Sequence, residues 1–140
     1  MLGGPVKYLL LVANAPDAWD DTDARPAEGV DDGVITDWAA YTRALHEAGV
    51  LVGGQATHTP DTATSVQVRQ GRRLLVDGPF ADTKEHLIGY YVIEVPDLDT
   101  ALDWAARVPN ARTGTIEVRP LQEGSDAATV LATGRAPGSA

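Results

Sequence analysis

Five ionisable side chains fall within ten residues, Asp77, Asp82, Lys84, Glu85 and His86, beside the rigid pair Gly78-Pro79. These residue types at this spacing suit proton transfer. An imidazole titrates near neutrality and serves as a general base, and a neighbouring carboxylate sets its tautomer, which assigns those parts to His86 and Glu85. Asp77 is a second candidate base, and Lys84 is the cation that would anchor an anionic substrate or steady an enolate. Proline fixes its own φ and glycine reaches angles closed to other residues. The chain therefore turns sharply at Gly78-Pro79 and can gather Asp77, Lys84, Glu85 and His86 around one spot. Phe80, Asp82 and Glu85 follow as substrate contacts from the same stretch. Turn chemistry supports a plainer reading as well, in which Asp77-Gly78-Pro79 is only a bend and Asp82 caps one solvated helical turn.

Outside this stretch, His58 falls in a loop, where it either lines a pocket mouth or is simply solvated. Trp38 and Tyr41 are either core or dimer-interface aromatics, or walls for a flat ligand. Arg112 and Arg119 can bind a carboxylate or stand as surface charges. No metal site is expected: His46, His58 and His86 share no ligand spacing, and Asp21-x-Asp23-x-Arg25 breaks the calcium-loop pattern at its third position. No glycine-rich nucleotide motif occurs either, so no cofactor is expected.

The elements that must position these residues are legible in the apolar spacing. Val6 to Ala13 reads as a buried strand, ended by Asn14-Ala15-Pro16. The acidic segment 14–33 reads as a loop insertion. Val34, Trp38, Tyr41 and Leu45 recur at helical spacing, with Asp31 or Asp32 as the expected cap and Gly49 as the left-handed stop. Val50 to Ala56 is a second strand whose Gly53-Gly54 signals a bulge or a close backbone approach. Residues 65–77 form a hairpin around Gln70-Gly71. Leu87 to Val95 is the next strand. Pro96-Asp97 then starts a helix with Leu98, Ala101, Leu102 and Ala105 on its apolar face. After Pro109, Thr115 to Arg119 is the last strand. Residues 1–122 are thus one domain, and 123–140, small, polar and punctuated by glycine and proline, read as a flexible tail. This order predicts an α+β, ferredoxin-like antiparallel sheet with two helices on one face. The bare second face is most simply covered by a second copy, as a homodimer.

Composition narrows the partners. The 140-residue chain carries a net charge of −9 and its eleven Lys and Arg form no stripe, which argues against nucleic acid. It has no cysteine, so disulfides and thiolate chemistry are excluded. No apolar run is long enough to span a bilayer and the N-terminus lacks the marks of a signal peptide, so a cytoplasmic address without membrane association is expected.

The run DGPFADTKEHLIGYY from Asp77 to Tyr91 closely resembles the signature of the YCII-related family of the DGPF type. KYLLLV from Lys7, AGVLVGG from Ala48, WAARVP from Trp104 and GTIEVRPL from Gly114 fit the same family. The resemblance covers about residues 6–121, apart from the acidic insertion. It implies a dimeric α+β barrel of ferredoxin-like subunits. Relatives in that wider superfamily include cofactor-independent isomerases, dehydrochlorinases and monooxygenases of small, often aromatic molecules. The founding branch resembles a His/Asp pair carrier, but Trp38 and Val108 stand at the matching places here, so its mechanism does not transfer.

Two functional readings follow. The first is a cofactor-free isomerase, lyase or cyclase that moves a proton on an aromatic or polyketide-like metabolite. In it Asp77 or His86 is the base, Lys84 the electrostatic partner, and Phe80, Asp82, Glu85, Trp38, Tyr41 and His58 the substrate contacts. The second is a dimeric module that binds a metabolite or regulates without chemistry.

Overall fold

The computed structural model describes residues 4–15, 33–80 and 83–137, with the side chains of the first helix described from Trp38 onward. The expected caps Asp31 and Asp32, the side chain of Val34, most of the acidic insertion and Asp82 lie outside the described residues.

Among the described residues six strands and three α-helices follow one another: β1 Val6–Asn14, α1 Gly33–Glu47, β2 Leu51–Ala56, β3 Thr64–Arg69, β4 Arg72–Asp77, β5 His86–Val95, α2 Leu98–Ala106, β6 Thr115–Pro120 and α3 Ala127–Thr133. Four strands make one antiparallel sheet in the order β2-β5-β1-β6, and β3-β4 is a separate hairpin. With the hairpin set aside, this is the ferredoxin-like plan expected from the apolar spacing.

Period-two alternation sends Tyr8, Leu10 and Val12 of β1 to one face, where they are buried with Ile93 and Val95 of β5. Tyr41 and Leu45 of α1 and Ala101 and Ala105 of α2 complete the same core, which places both helices on that face. Each fully buried aliphatic side chain of this size contributes about 1.5–3 kcal/mol. Lys7, Leu9, Leu11 and Ala13 point the other way, to the face opposite α1 and α2.

Local rules account for the turns. Gly49 closes α1 at φ +74°, and Gln70 and Gly71, at φ 53° and 76°, form the left-handed two-residue turn that fits a tight hairpin. Asp97 caps α2 by accepting from the Thr100 backbone N–H at 2.8 Å and its hydroxyl at 2.7 Å. The β2 pairing slips between Leu51 and Gly53, and a Cβ at Gly54 would stand 2.8 Å from the Tyr90 carbonyl oxygen. That is the bulge and the close approach the glycine pair signalled.

Two expectations need correction. Leu98 and Leu102 of α2 are exposed, and the helix packs instead through Ala101, Ala105 and the half-buried Trp104. The stretch beyond Glu123 is not without structure: residues 127–133 are helical, capped by Asp126 and closed by a left-handed Gly134. No described helix is long and apolar enough to cross a membrane.

Candidate functional site

The end of the sheet where β1 stops and β5 and β6 start collects the chemistry-bearing residues. A bulge decides which face His86 joins. The β1–β5 register runs regularly to Val12↔Gly89, then slips so that Ala13 faces Leu87 and Asn14 faces His86. In an unbroken register Ile88 would face Ala13 and Leu87 would face Asn14, and His86 would point to the face opposite α1 and α2. With the slip, half-buried His86 shares the helix face with buried Asn14. Gly89 permits this, because a Cβ there would stand 2.9 Å from the Gln55 carbonyl oxygen and 3.1 Å from the Ala56 Cα.

Two amides bound the same corner. Asn14 and Asn110 are each 8% exposed. Asn110 lies in the 3-10 turn Pro109–Arg112, and its Nδ2 donates to the Ala13 carbonyl at 3.2 Å. Its Oδ1 is buried and has no hydrogen-bond partner among the described residues. Gly114 makes the packing possible: a Cβ there would collide with the Ala13 carbonyl oxygen and stand 3.0 Å from both Asn110 Nδ2 and Asn14 Oδ1.

An aromatic group lies on the same face of the sheet. Tyr41 meets Tyr91 edge-on at 5.3 Å between ring centres and Trp104 at 6.1 Å, and its hydroxyl donates to the Trp104 carbonyl at 2.8 Å. The Thr42 hydroxyl donates to the Trp38 carbonyl at 2.9 Å, so the 2.9 Å contact between Thr42 and Tyr91 has the Tyr91 hydroxyl as donor. Both tyrosine protons are thus committed to partners. Burial raises the Tyr41 pKa well above the ordinary phenol range, the Tyr91 hydroxyl adds to the rise and Arg107 opposes it. Tyr41 is therefore neutral at physiological pH and belongs to the core rather than to a reacting pair. Arg107 stacks over Trp104, 4.2 Å from the ring centre.

The signature stretch is arranged differently from one convergent cluster. Gly78 takes φ +98°, its N–H donates to the Ala63 carbonyl at 2.7 Å, and its carbonyl accepts from the Ser65 hydroxyl at 2.9 Å, so the bend is built as its residue types require. Asp77, Lys84 and His58 are exposed, and Phe80 is 79% exposed. Glu85 is half-buried, and its carbonyl accepts a hydrogen bond from the Thr83 hydroxyl. Among the described residues, no hydrogen bond or ion pair joins Asp77, Lys84, Glu85 and His86. Trp38 is half-buried against the core. Arg119 pairs with Glu117 at 2.5 Å on the surface. Among the described residues there is no group of three His, Asp or Glu side chains placed to hold a metal ion.

Asn14, Asn110, Gly114, Thr42 and Tyr91 were not singled out from the sequence. The available signals were Gly89, a glycine inside an apolar strand that marks a bulge, and Asn110 directly behind the helix-ending Pro109. Neither reveals burial on its own.

A YCII-related domain matches residues 6–124. The chain is 45% identical over 94 residues to the uncharacterized protein R00369 of Rhizobium meliloti (strain 1021), an alignment covering 65% of this chain and 75% of that one. At the two places matched to the founding branch's His/Asp pair, Val108 is 2% exposed within the core and Trp38 is half-buried, so neither supplies an acid or base. The chain belongs to the YCII-related family.

Proposed function

We propose that the chain binds a small planar metabolite at this end of the sheet and moves a proton on it without a cofactor, with His86 as the base. The observation that carries the reading is the bulge, which turns His86 inward beside two buried amides, one of them with a carbonyl oxygen that has no partner among the described residues. A buried acceptor in that state costs about 1–3 kcal/mol unless something donates to it. A ligand hydroxyl or N–H is the kind of group that would. The substrate class is aromatic or polyketide-like, because Trp38, Tyr91 and Trp104 lie on the same face of the sheet and rings of this kind suit a flat partner. Asp77, Lys84 and Phe80 stand at the exposed rim in this reading, where they would meet substrate on entry.

A thermal-shift screen of hydroxybenzoic acids and cyclic enones against wild type, His86→Ala and Asn110→Ala tests it. Saturable stabilisation of wild type that falls about tenfold or more in affinity in both variants is expected, a loss of about 1.4 kcal/mol each. Equal stabilisation of all three proteins would end the reading.

The exposure of Asp77, Lys84 and Phe80 favours a second reading, a metabolite-binding module without chemistry. Mass spectrometry separates the two: conversion of a bound compound, lost in His86→Ala, belongs only to the enzyme.

The same reading includes a homodimer. Leu9, Leu11, Tyr90 and Val92 share the sheet face opposite α1 and α2 by register, and an apolar sheet face of this kind calls for cover.

A further inference from the structure

Trp104 ties the end of α2 to α1. Its carbonyl accepts two hydrogen bonds, from the Tyr41 hydroxyl at 2.8 Å and from the Arg107 backbone N–H at 3.1 Å, and its ring meets Tyr41 edge-on. Arg107 closes α2, at the end where the helix dipole favours a cation. Its side chain folds back over the Trp104 ring, 4.2 Å from the centre. Asp103 stands one turn back on the same helix, at the i,i+4 step that suits an ion pair, yet none forms between them. The positive charge is also felt at the Tyr41 hydroxyl, where it opposes the rise in pKa caused by burial. The guanidinium is therefore held at the aromatic group rather than drawn out to Asp103. A guanidinium stacked on an indole keeps its in-plane N–H donors clear of the ring, in the fork that matches a carboxylate. Stacking also settles beforehand the rotamers that binding would otherwise have to order.

We infer that Arg107, carried on Trp104, is the carboxylate anchor of the site, so that the ligand is an aromatic carboxylic acid bound as its anion, with its acid group at Arg107 and a hydroxyl or N–H donor turned to Asn110 Oδ1. This rests on the corner being a small-molecule site and adds the charge of what binds there. Reach agrees. Arg107 and Asn110 are three positions apart in the chain, so their backbones stand no more than about 11 Å apart, a span that two side chains and a single ring can bridge. A local cation matters on this chain, because a net charge of −9 disfavours any anion that lacks one. The residue types assigned that part to Lys84. Lys84 is exposed at the rim, whereas Arg107 is ordered on an aromatic ring next to the turn that carries Asn110.

The test compares 4-hydroxybenzoate with 4-hydroxybenzamide, which share a ring and a hydroxyl and differ in charge. Both are titrated calorimetrically into full-length wild type, Arg107→Met and Arg112→Met. Wild type and Arg112→Met are expected to bind the acid about tenfold more tightly than the amide. In Arg107→Met the two affinities become equal through loss of the acid's, with the amide's unchanged. A wild type without the preference, a preference that survives Arg107→Met or is lost in Arg112→Met, or equal weakening of both ligands overturns the anchor. A wild type that binds a cyclic enone saturably but not the acid also overturns it and leaves the corner standing as a site. A wild type that binds neither class at millimolar concentration overturns both. If Arg107→Met fails to fold, the Arg107 Nε–H signal of 15N-labelled wild type decides. It is expected to shift with the acid and not with the amide, and a signal unmoved by bound acid overturns the anchor.

Discussion

Tyr41 is where burial and titration meet most directly. Its hydroxyl is a hydrogen-bond donor to the Trp104 carbonyl between α1 and α2, and removing it leaves that carbonyl with one partner fewer. Tyr41→Phe is expected to cost about 1 kcal/mol at pH 7, read as a lower urea midpoint. The effect depends on pH with a definite sign. The folded-state pKa is raised by burial, so above about pH 10 the unfolded chain ionises this phenol while the native state keeps its proton. The stabilisation is complete below the unfolded pKa and declines as pH rises past it. The gap between wild type and Tyr41→Phe should therefore narrow near pH 11, and a gap that widens would contradict the assignment. That Tyr41 and Leu45 are core was legible from their helical spacing. The hydroxyl's partner was not, because Trp104 is 63 residues away in the chain. The same limit hid Asn110, whose hydrogen bond to Ala13 spans 97 residues.

Among the elements, α2 follows its local code most closely. Asp97 is the cap that Pro96-Asp97 signalled, and its hydrogen bonds to the Thr100 hydroxyl and backbone N–H hold its carboxyl below the ordinary aspartate range. A carboxylate with a depressed pKa stabilises the fold above its unfolded pKa, and that stabilisation disappears as pH falls through the folded value. Asp97→Ala should lower the melting temperature at pH 7, and the deficit should shrink as pH falls below the ordinary aspartate range. A deficit that persists in acid would mean the residue acts through packing. Strand order and helix placement were readable because period-two and 3.6-residue spacing record burial locally. Gly89 marks the β5 bulge, but its effect on His86 was not readable, since it depends on the close approach of Gly89 to the β2 backbone. Helix α3 was not legible despite Asp126 and Gly134 standing at its ends, because seven residues are too few to display an apolar period. The outward Leu98 and Leu102 broke the pattern for the opposite reason: apolar spacing marks a candidate face, and the size of Ala101 and Ala105 decides which side lies close to the sheet.

For the whole molecule, the account joins a ferredoxin-like body, a polar corner at one end of its sheet and an exposed β3–β4 hairpin. The signature stretch does not form the single convergent cluster that its residue types suggest. Its bend is built, but Asp77 and Lys84 remain in water while His86 alone is turned fully onto the helix face by the bulge. The proposed chemistry thus depends on one imidazole and two amides, and the nature of the metabolite lies in the fit of that corner rather than in any local motif. The most direct measurement is a titration of 15N-labelled wild type with hydroxybenzoic acids and cyclic enones, following the side-chain amides of Asn14 and Asn110 and the backbone amides of His86 and Gly114. The account predicts saturable shifts centred on those groups. Saturable shifts confined to the hairpin or α3, or no shifts at millimolar ligand from either class, would contradict it.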